Sequence, residues 1–448
     1  MQKRAYGAVA LAGVATLFMS ACGGGSSTPA SPAAPAAPAA SDASDGKASP
    51  TSTTPAAAAT SGTAAPVRDA NVDLVIWADA DRAKILQKYA DQFGQEQGIK
   101  VQIQVSTNVR KDFKDATNVG KGPDIIVGAH DYAGELVQNG AINPVQLSAD
   151  AQAKFVPASI QAAKYNGQLY GVPYATENLG LLRNTALAPD APASYEDMLA
   201  KGKKLVADGK ATNAVLQQVG KTGDAYYSYP YLKAFGGGIF GQKDNGDYDP
   251  TKVLVGDAGS VKGAAFMGQL GKDGILSTNI DFDTAQSLFG TGKVPYYITG
   301  PWATEKAKAA SIKYGISPLP TIEGNKMSPF LGVQMFYVSA KAKNDAFAQE
   351  FVTNYVTKPE LQVDLYKTGF RPPALKLALD QVTASDPDVK AWSEAGQGAL
   401  PMPNIPAMNS VWGPLGQATA DVVAQKAAAQ ERMTAAKTEI TANIQKNG

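Results

Sequence analysis

The residue types that carry most enzyme chemistry are nearly missing. Among 448 residues there is one cysteine, Cys22, and one histidine, His130. A single cysteine permits no intramolecular disulfide, and a lone histidine with no cysteine beside it excludes zinc sites of the usual composition. No Gly-x-Ser-x-Gly elbow and no Gly-x-x-x-x-Gly-Lys-Ser/Thr phosphate loop occurs, so two common catalytic motifs are excluded. Excess charge is missing too: 41 basic and 40 acidic residues leave a formal charge of +1. That balance gives no electrostatic footprint for nucleic acid and no polybasic membrane patch. A neutral partner and no cofactor are expected. The apolar run Ala8–Met19 is too short for a membrane-spanning helix.

What is present begins with an export signature. Lys3 and Arg4 precede the apolar run, and Met19-Ser20-Ala21 places small residues before Cys22. This is the layout of a secretory signal peptide over residues 1–21. A cysteine directly after small residues resembles a bacterial lipobox, with Met19 where Leu is usual. The resemblance implies cleavage before Cys22 and a lipid on its sulfur, which binds membranes through buried methylenes at about 0.8 kcal/mol each. Residues 22–66 are nearly all Ala, Pro, Ser, Thr and Gly. They cannot offset the entropy of ordering, so a lipidated disordered tether is expected. A glycosylated or wall-spanning stalk fits the same composition.

The globular part is expected from about residue 71. Val72–Trp77 has strand character, and Ile85, Leu86, Tyr89, Ala90 and Phe93 recur at helical spacing. Val101, Ile103 and Val105 alternate as in a strand, and Asp124–Val127 reads as another buried strand. Strand, helix, strand within so short a span argues for a parallel α/β sheet. Phe347, Phe351, Val352 and Tyr355 mark an amphipathic helix, and the last thirty or so residues are Ala-rich and helical in pattern.

Two chemistries remain open at this point. Paired carboxylates such as Asp131 and Glu177 suit a secreted glycosidase, which needs one of them with a raised pKa. Aromatic residues beside turns suit a sugar site, because sugars present apolar C–H faces and rims of hydroxyls. Trp302 after Gly300-Pro301, Trp412 after Pro403-Asn404-Ile405-Pro406, and Tyr226-Tyr227-Ser228-Tyr229 are the candidates.

Several segments in order resemble the maltose-binding protein family, from about Leu74 to the C-terminal helix. They are Leu74-Val75-Ile76-Trp77 with Asp81-Arg82, Gly122-Pro123-Asp124-Ile125-Ile126 with Ala129-His130-Asp131, and Tyr165 through Pro173 followed by Glu177. Phe289-Gly290-Thr291-Gly292-Lys293 leading to Gly300-Pro301-Trp302, then Pro329–Val333, and Met402–Pro406 with Trp412 complete the set. The resemblance implies a two-lobed periplasmic binding protein fold of α/β class, with discontinuous lobes at 71–175 plus 331–381 and 180–330 plus 388–448. Hinges are expected near Ala175–Gly180 and Met327–Gly332.

Site roles follow from the same resemblance. Asp81, Asp131, Glu177 and Asp224 would accept hydrogen bonds from sugar hydroxyls, and Arg82 would donate. Tyr226, Trp302 and Trp412 would stack on pyranose faces, and Met402 would pad the site. This sequence departs from the family at Gly128, Tyr132, Gly413 and Gly416, which stand where aromatic or basic groups are usual. The expectation is a roomier cleft, with Tyr132 and Tyr174 restoring some stacking. The expected function is capture of a maltose- or maltodextrin-like oligosaccharide outside the cytoplasm for delivery to the permease subunits of an ABC transporter. The protein is expected to be a lipid-anchored monomer, not an enzyme and with no nucleic-acid partner. A binding protein or sensor for another neutral sugar or solute is the alternative.

Overall fold

The computed structural model describes residues 65–447 apart from 67 and 244–246. The expected signal peptide, Cys22 and nearly all of the tether lie outside the described residues. Strand β1 (Leu74–Ala78) is buried along its whole length. Helix α1 (Ala80–Gln97) follows at once, because Asp79 caps it by accepting from Arg82 N at 2.9 Å. Gly98, in the left-handed conformation at φ 66°, ends it. Leu86, Tyr89 and Phe93 form its buried face, and the Phe93 ring meets Phe351 and Tyr355 edge-on at 5.4 and 5.2 Å. Strand β2 (Val101–Val105) pairs parallel with β1 from Leu74↔Val101 to Ala78↔Val105. Helix α2 (Val109–Asn118) leads to β3 (Ile125–Ala129), which pairs parallel on the other side of β1. The Gly-Pro-Asp motif serves this sheet: Asp124 Oδ2 accepts from Val75 N at 2.7 Å and Arg68 NH1 at 2.6 Å.

The sheet is completed by a ten-residue strand, Phe330–Ser339, antiparallel to β3 on one side and to the strand Gly171–Glu177 on the other. A second sheet holds Tyr296–Thr299, Gly180–Asn184 and Tyr314–Ser317 in that order. One apolar core draws its residues from 72–175 and 335–378. Three others draw theirs from 179–330 and 392–440. The first crossing between these sets is tighter than the sequence suggests. The ladder of Gly171–Glu177 runs to Glu177↔Gly332, so only Asn178 and Leu179 leave strand geometry before Gly180. The helix expected around Phe347–Tyr355 is α-helical at Asp345–Glu350 and widens to a π-helical turn at Phe351–Tyr355. The C-terminal helix spans Ala429–Asn447. Among the described residues no helix is long and apolar enough to cross a membrane.

Candidate ligand-binding cleft

The C-terminal ends of parallel strands are where open α/β sheets place ligand sites. The chain leaving β1 supplies Asp79, Asp81 and Arg82, and the chain leaving β3 supplies His130, Asp131 and Tyr132. All of these but the buried His130 line a cleft of about 800 Å³, within the size range of small-molecule sites. All nine residues singled out from the sequence line it: Asp81, Arg82, Asp131, Glu177, Asp224, Tyr226, Trp302, Met402 and Trp412. Those from 79–177 and those from 218–309 come from the two separate sets of cores, so the cleft lies between them.

The charged groups are held by one another. Asp131 Oδ2 accepts from Arg110 NH1 at 3.0 Å and from Trp412 Nε1 at 3.2 Å. Arg110 also bonds Glu135 at 2.8 Å, and Lys114 bonds Glu135 at 2.9 Å. Burial pulls the Arg110 pKa down, but Asp131 and Glu135 outweigh it and the net direction is up. Glu177 sits between the Arg371 Nε donor and Gln334 Nε2, the latter at 2.9 Å. Burial pushes its carboxyl up, yet Arg371, Gln334 and Arg82 together outweigh that and hold it below the usual carboxylate range. Gly332 is required beside it, since a Cβ there would lie 2.6 Å from Glu177 Cγ. Arg82 donates to the Tyr174 hydroxyl and to the Asp79 carboxylate. Asp81 is exposed, 3.6 Å from Lys84 Nζ.

The aromatic wall is built on the helix Ala225–Ala234 and on Trp302. Asp224 caps that helix through Oδ1, which accepts from Tyr226 N at 2.9 Å and Tyr227 N at 3.2 Å. Its Oδ2 accepts from Gln218 at 2.7 Å. Expected as a hydroxyl acceptor, Asp224 is thus engaged by its own helix, and burial raises its pKa. The Tyr226 ring lies 6.4 Å from Trp302, and Arg371 stands 5.5 Å over the Trp302 ring. The Tyr226 hydroxyl, Arg110 NH2 and the Oε1 atoms of Gln218 and Gln286 are buried with no hydrogen-bond partner among the described residues. Unpaired buried polar atoms are costly, and these four belong to side chains that line the cleft. Among the described residues no group of His, Cys, Asp or Glu is placed to hold a metal ion.

The expected roominess is found at one glycine of three. A Cβ at Gly128 would lie 2.5 Å from the Tyr132 ring, so that space is already filled. Gly416 packs on the 222–223 backbone, with Thr222 O at 3.0 Å from where a Cβ would sit. Gly413 alone faces open space. Tyr132 itself offers little surface, because Arg110 stands 4.7 Å over its ring and Tyr337 lies parallel to it at 6.4 Å. Arg110 and Arg371 were not legible as site residues. Arg110 lies in a helix of ordinary surface composition, and Arg371 is brought beside Glu177 by distant chain segments, where Pro372 O accepts from Thr176 N at 2.8 Å.

Residues 88–391 match the family described as bacterial extracellular solute-binding protein. A galactooligosaccharide-binding protein of Bacillus subtilis is 31% identical over 79% of this chain and 85% of its own length. A maltotriose-binding protein of Pyrococcus abyssi is 26% identical over 76% of this chain and 75% of its own length. A maltooligosaccharide ABC transporter solute-binding lipoprotein of Streptococcus pneumoniae is 27% identical over 81% and 87%.

Proposed function

Because the chain belongs to the family of bacterial extracellular solute-binding proteins, we propose that its cleft captures a neutral oligosaccharide and delivers it to the permease subunits of an ABC importer. The observation that carries this reading is the mixture in the cleft wall. Aromatic rings of Tyr226, Trp302 and Trp412 stand among amides and carboxylates, while Arg82, Arg110 and Arg371 are each held by a carboxylate. Paired arginines give an anionic ligand little advantage, whereas rings and polar rims fit sugar faces and hydroxyls.

In this reading Asp81, Asp131 and Glu177 accept from hydroxyls and Arg82 donates. Tyr226, Trp302 and Trp412 stack, Met402 pads, and Asp224 accepts from a hydroxyl while capping the Tyr226 helix. The lobes are 71–175 plus 331–381 and 180–330 plus 388–448, and ligand favours the closed form because only there do both lobes touch it. Binding without hydrolysis is supported by Glu177, whose depressed pKa is the reverse of what a general acid needs. A lipid on Cys22 would keep the monomer at the membrane, a reading supported by the relatives named lipoproteins.

The α-gluco series, maltose to maltodextrin, is the first choice of ligand. Galactooligosaccharide is the second, favoured by the relative that is 31% identical. Isothermal titration with maltose, maltotriose, maltoheptaose, a galactooligosaccharide and a xylo-oligosaccharide tests both. Saturable heat from one series, with no product on long incubation, is the expected result. Silence from every sugar would sink the oligosaccharide reading and leave the family intact.

A further inference from the structure

The cleft continues past Trp302 into an arm to which neither the sequence nor the relatives' names assign a role. One wall is the helix Phe282–Gly290 together with the helix Ala303–Ala309. Phe282 is 45% exposed, high for a large apolar side chain, and it lines the cleft. Gln286 is one turn on and therefore on the same face, and its buried Oε1 has no partner among the described residues. Ala285 and Phe289, three residues on from Phe282 and Gln286, are buried beside them. Across the arm stand Leu365, Thr368 and Gly369, at the end of the helix Pro359–Gly369. The two sides are tied beyond the arm, where Lys308 bonds Asp386 at 2.8 Å and lies 4.5 Å over the Phe370 ring. At the other end of the cleft Tyr132 is covered by Arg110 and Tyr337, so it supplies no comparable free ring.

We propose that Phe282 and Gln286 form an outlying subsite that takes an additional hexose unit of a longer oligosaccharide, with Phe282 stacking on the ring and the Gln286 side chain, which lines the cleft, meeting a hydroxyl. An exposed aromatic beside an amide in a ligand groove is the pairing of surfaces a pyranose recognises. The proposal rests on the oligosaccharide reading, and it makes Phe282 a determinant of ligand length and not of sugar identity.

The test compares trisaccharide and hexasaccharide of the same series, α-1,4-gluco or β-1,4-galacto, on the purified protein and on its F282A and Q286A variants. Phe282 is exposed and Gln286 is half-buried, so unchanged melting curves are expected for both variants. The wild type should bind the hexasaccharide roughly tenfold tighter than the trisaccharide, and F282A should remove most of that advantage while leaving trisaccharide affinity within about twofold. Q286A should remove a smaller part of it. Equal affinity for both lengths in the wild type, or the same length preference in wild type and F282A, would overturn the subsite while the oligosaccharide reading stood. Loss of trisaccharide binding in F282A would also overturn it, by placing Phe282 in the central site. Absence of binding by any sugar would bring down the underlying reading and the subsite together.

Discussion

Arg371 and Glu177 form a pair in which each makes the other's burial tolerable. Replacing Arg371 by Ala leaves a buried carboxylate without its guanidinium, which costs about 3–5 kcal/mol when no charge compensates. Denaturant unfolding at pH 7 should show a loss of that order. The pH dependence gives a second reading. In the wild type the Glu177 pKa is depressed by Arg371, so its stabilisation is complete above the ordinary Glu value of about 4.3 and is lost as pH falls through the lower folded value. In R371A the burial penalty is opposed only by Gln334 and Arg82 and the carboxyl gains from protonation, so the stability gap between variant and wild type should narrow between pH 7 and 4. A gap that stays constant with pH would mean the loss is packing and not charge.

His130 is the second residue whose chemistry is set by its neighbours. Its Nδ1 accepts from Val333 N at 3.1 Å, so its Nε2 carries the proton and donates to Met402 O at 3.1 Å. Burial lowers its pKa, although nearby Asp131 pulls the other way. A histidine depressed in the folded state contributes stability that is full above the unfolded value of about 6.5 and is lost as pH falls through the folded value. Since it is the only histidine of the chain, its Cε1–H resonance is unambiguous. That resonance should not titrate near pH 6.5, and H130Q should flatten the decline of stability on acidification below about pH 6.5. A shift that titrates at the ordinary value would show the ring is not held as described.

At the scale of elements, close backbone approaches decide which glycines matter. Gly223 precedes the cap of the Tyr226 helix at φ 71°, and a Cβ there would lie 1.8 Å from Gly416 O on the helix Trp412–Val423. G223A must both strain the backbone and separate two elements, for a cost of about 1–3 kcal/mol or more. G413A, on the same helix Trp412–Val423 but facing open space, should change thermal stability far less. Similar melting temperatures for the two variants would contradict the packing described. The local elements themselves were legible in the sequence. The alternation in Val101–Val105 and the helical spacing of Leu86, Tyr89 and Phe93 reflect one-sided burial, which has a period that can be read without the fold. The π-helical turn at Phe351–Tyr355 was not legible, because its apolar spacing is also that of an ordinary helix.

At the scale of the whole molecule, the N-terminal segment and the cleft are expected to act independently. Removing residues 25–65 should leave sugar affinity within about twofold, because residues without large apolar side chains bury little surface. Titration of the shortened protein checks this, and a large loss would mean that the segment folds against the cleft. Changing Cys22 to Ala should move the protein from the membrane to the soluble fraction. Retention at the membrane would remove the lipid anchor from the proposal.

The sequence by itself determined the α/β class, the order of the first strands and helices, and nine residues that meet in one cleft. The class and the first elements follow from residue periodicity, and the nine residues follow from the resemblance to the maltose-binding protein family. Only the tertiary structure decided which carboxylates remain available. Asp224 lines the cleft and also caps its own helix through Oδ1, and Asp131 shares one oxygen between Arg110 and Trp412. Only it showed that Gly128 makes room for Tyr132 and not for ligand, or brought Arg371 and Phe282 to the same cleft. Those outcomes depend on contacts between residues tens to hundreds of positions apart, and no local pattern records which distant atom will fill a space or claim a lone pair.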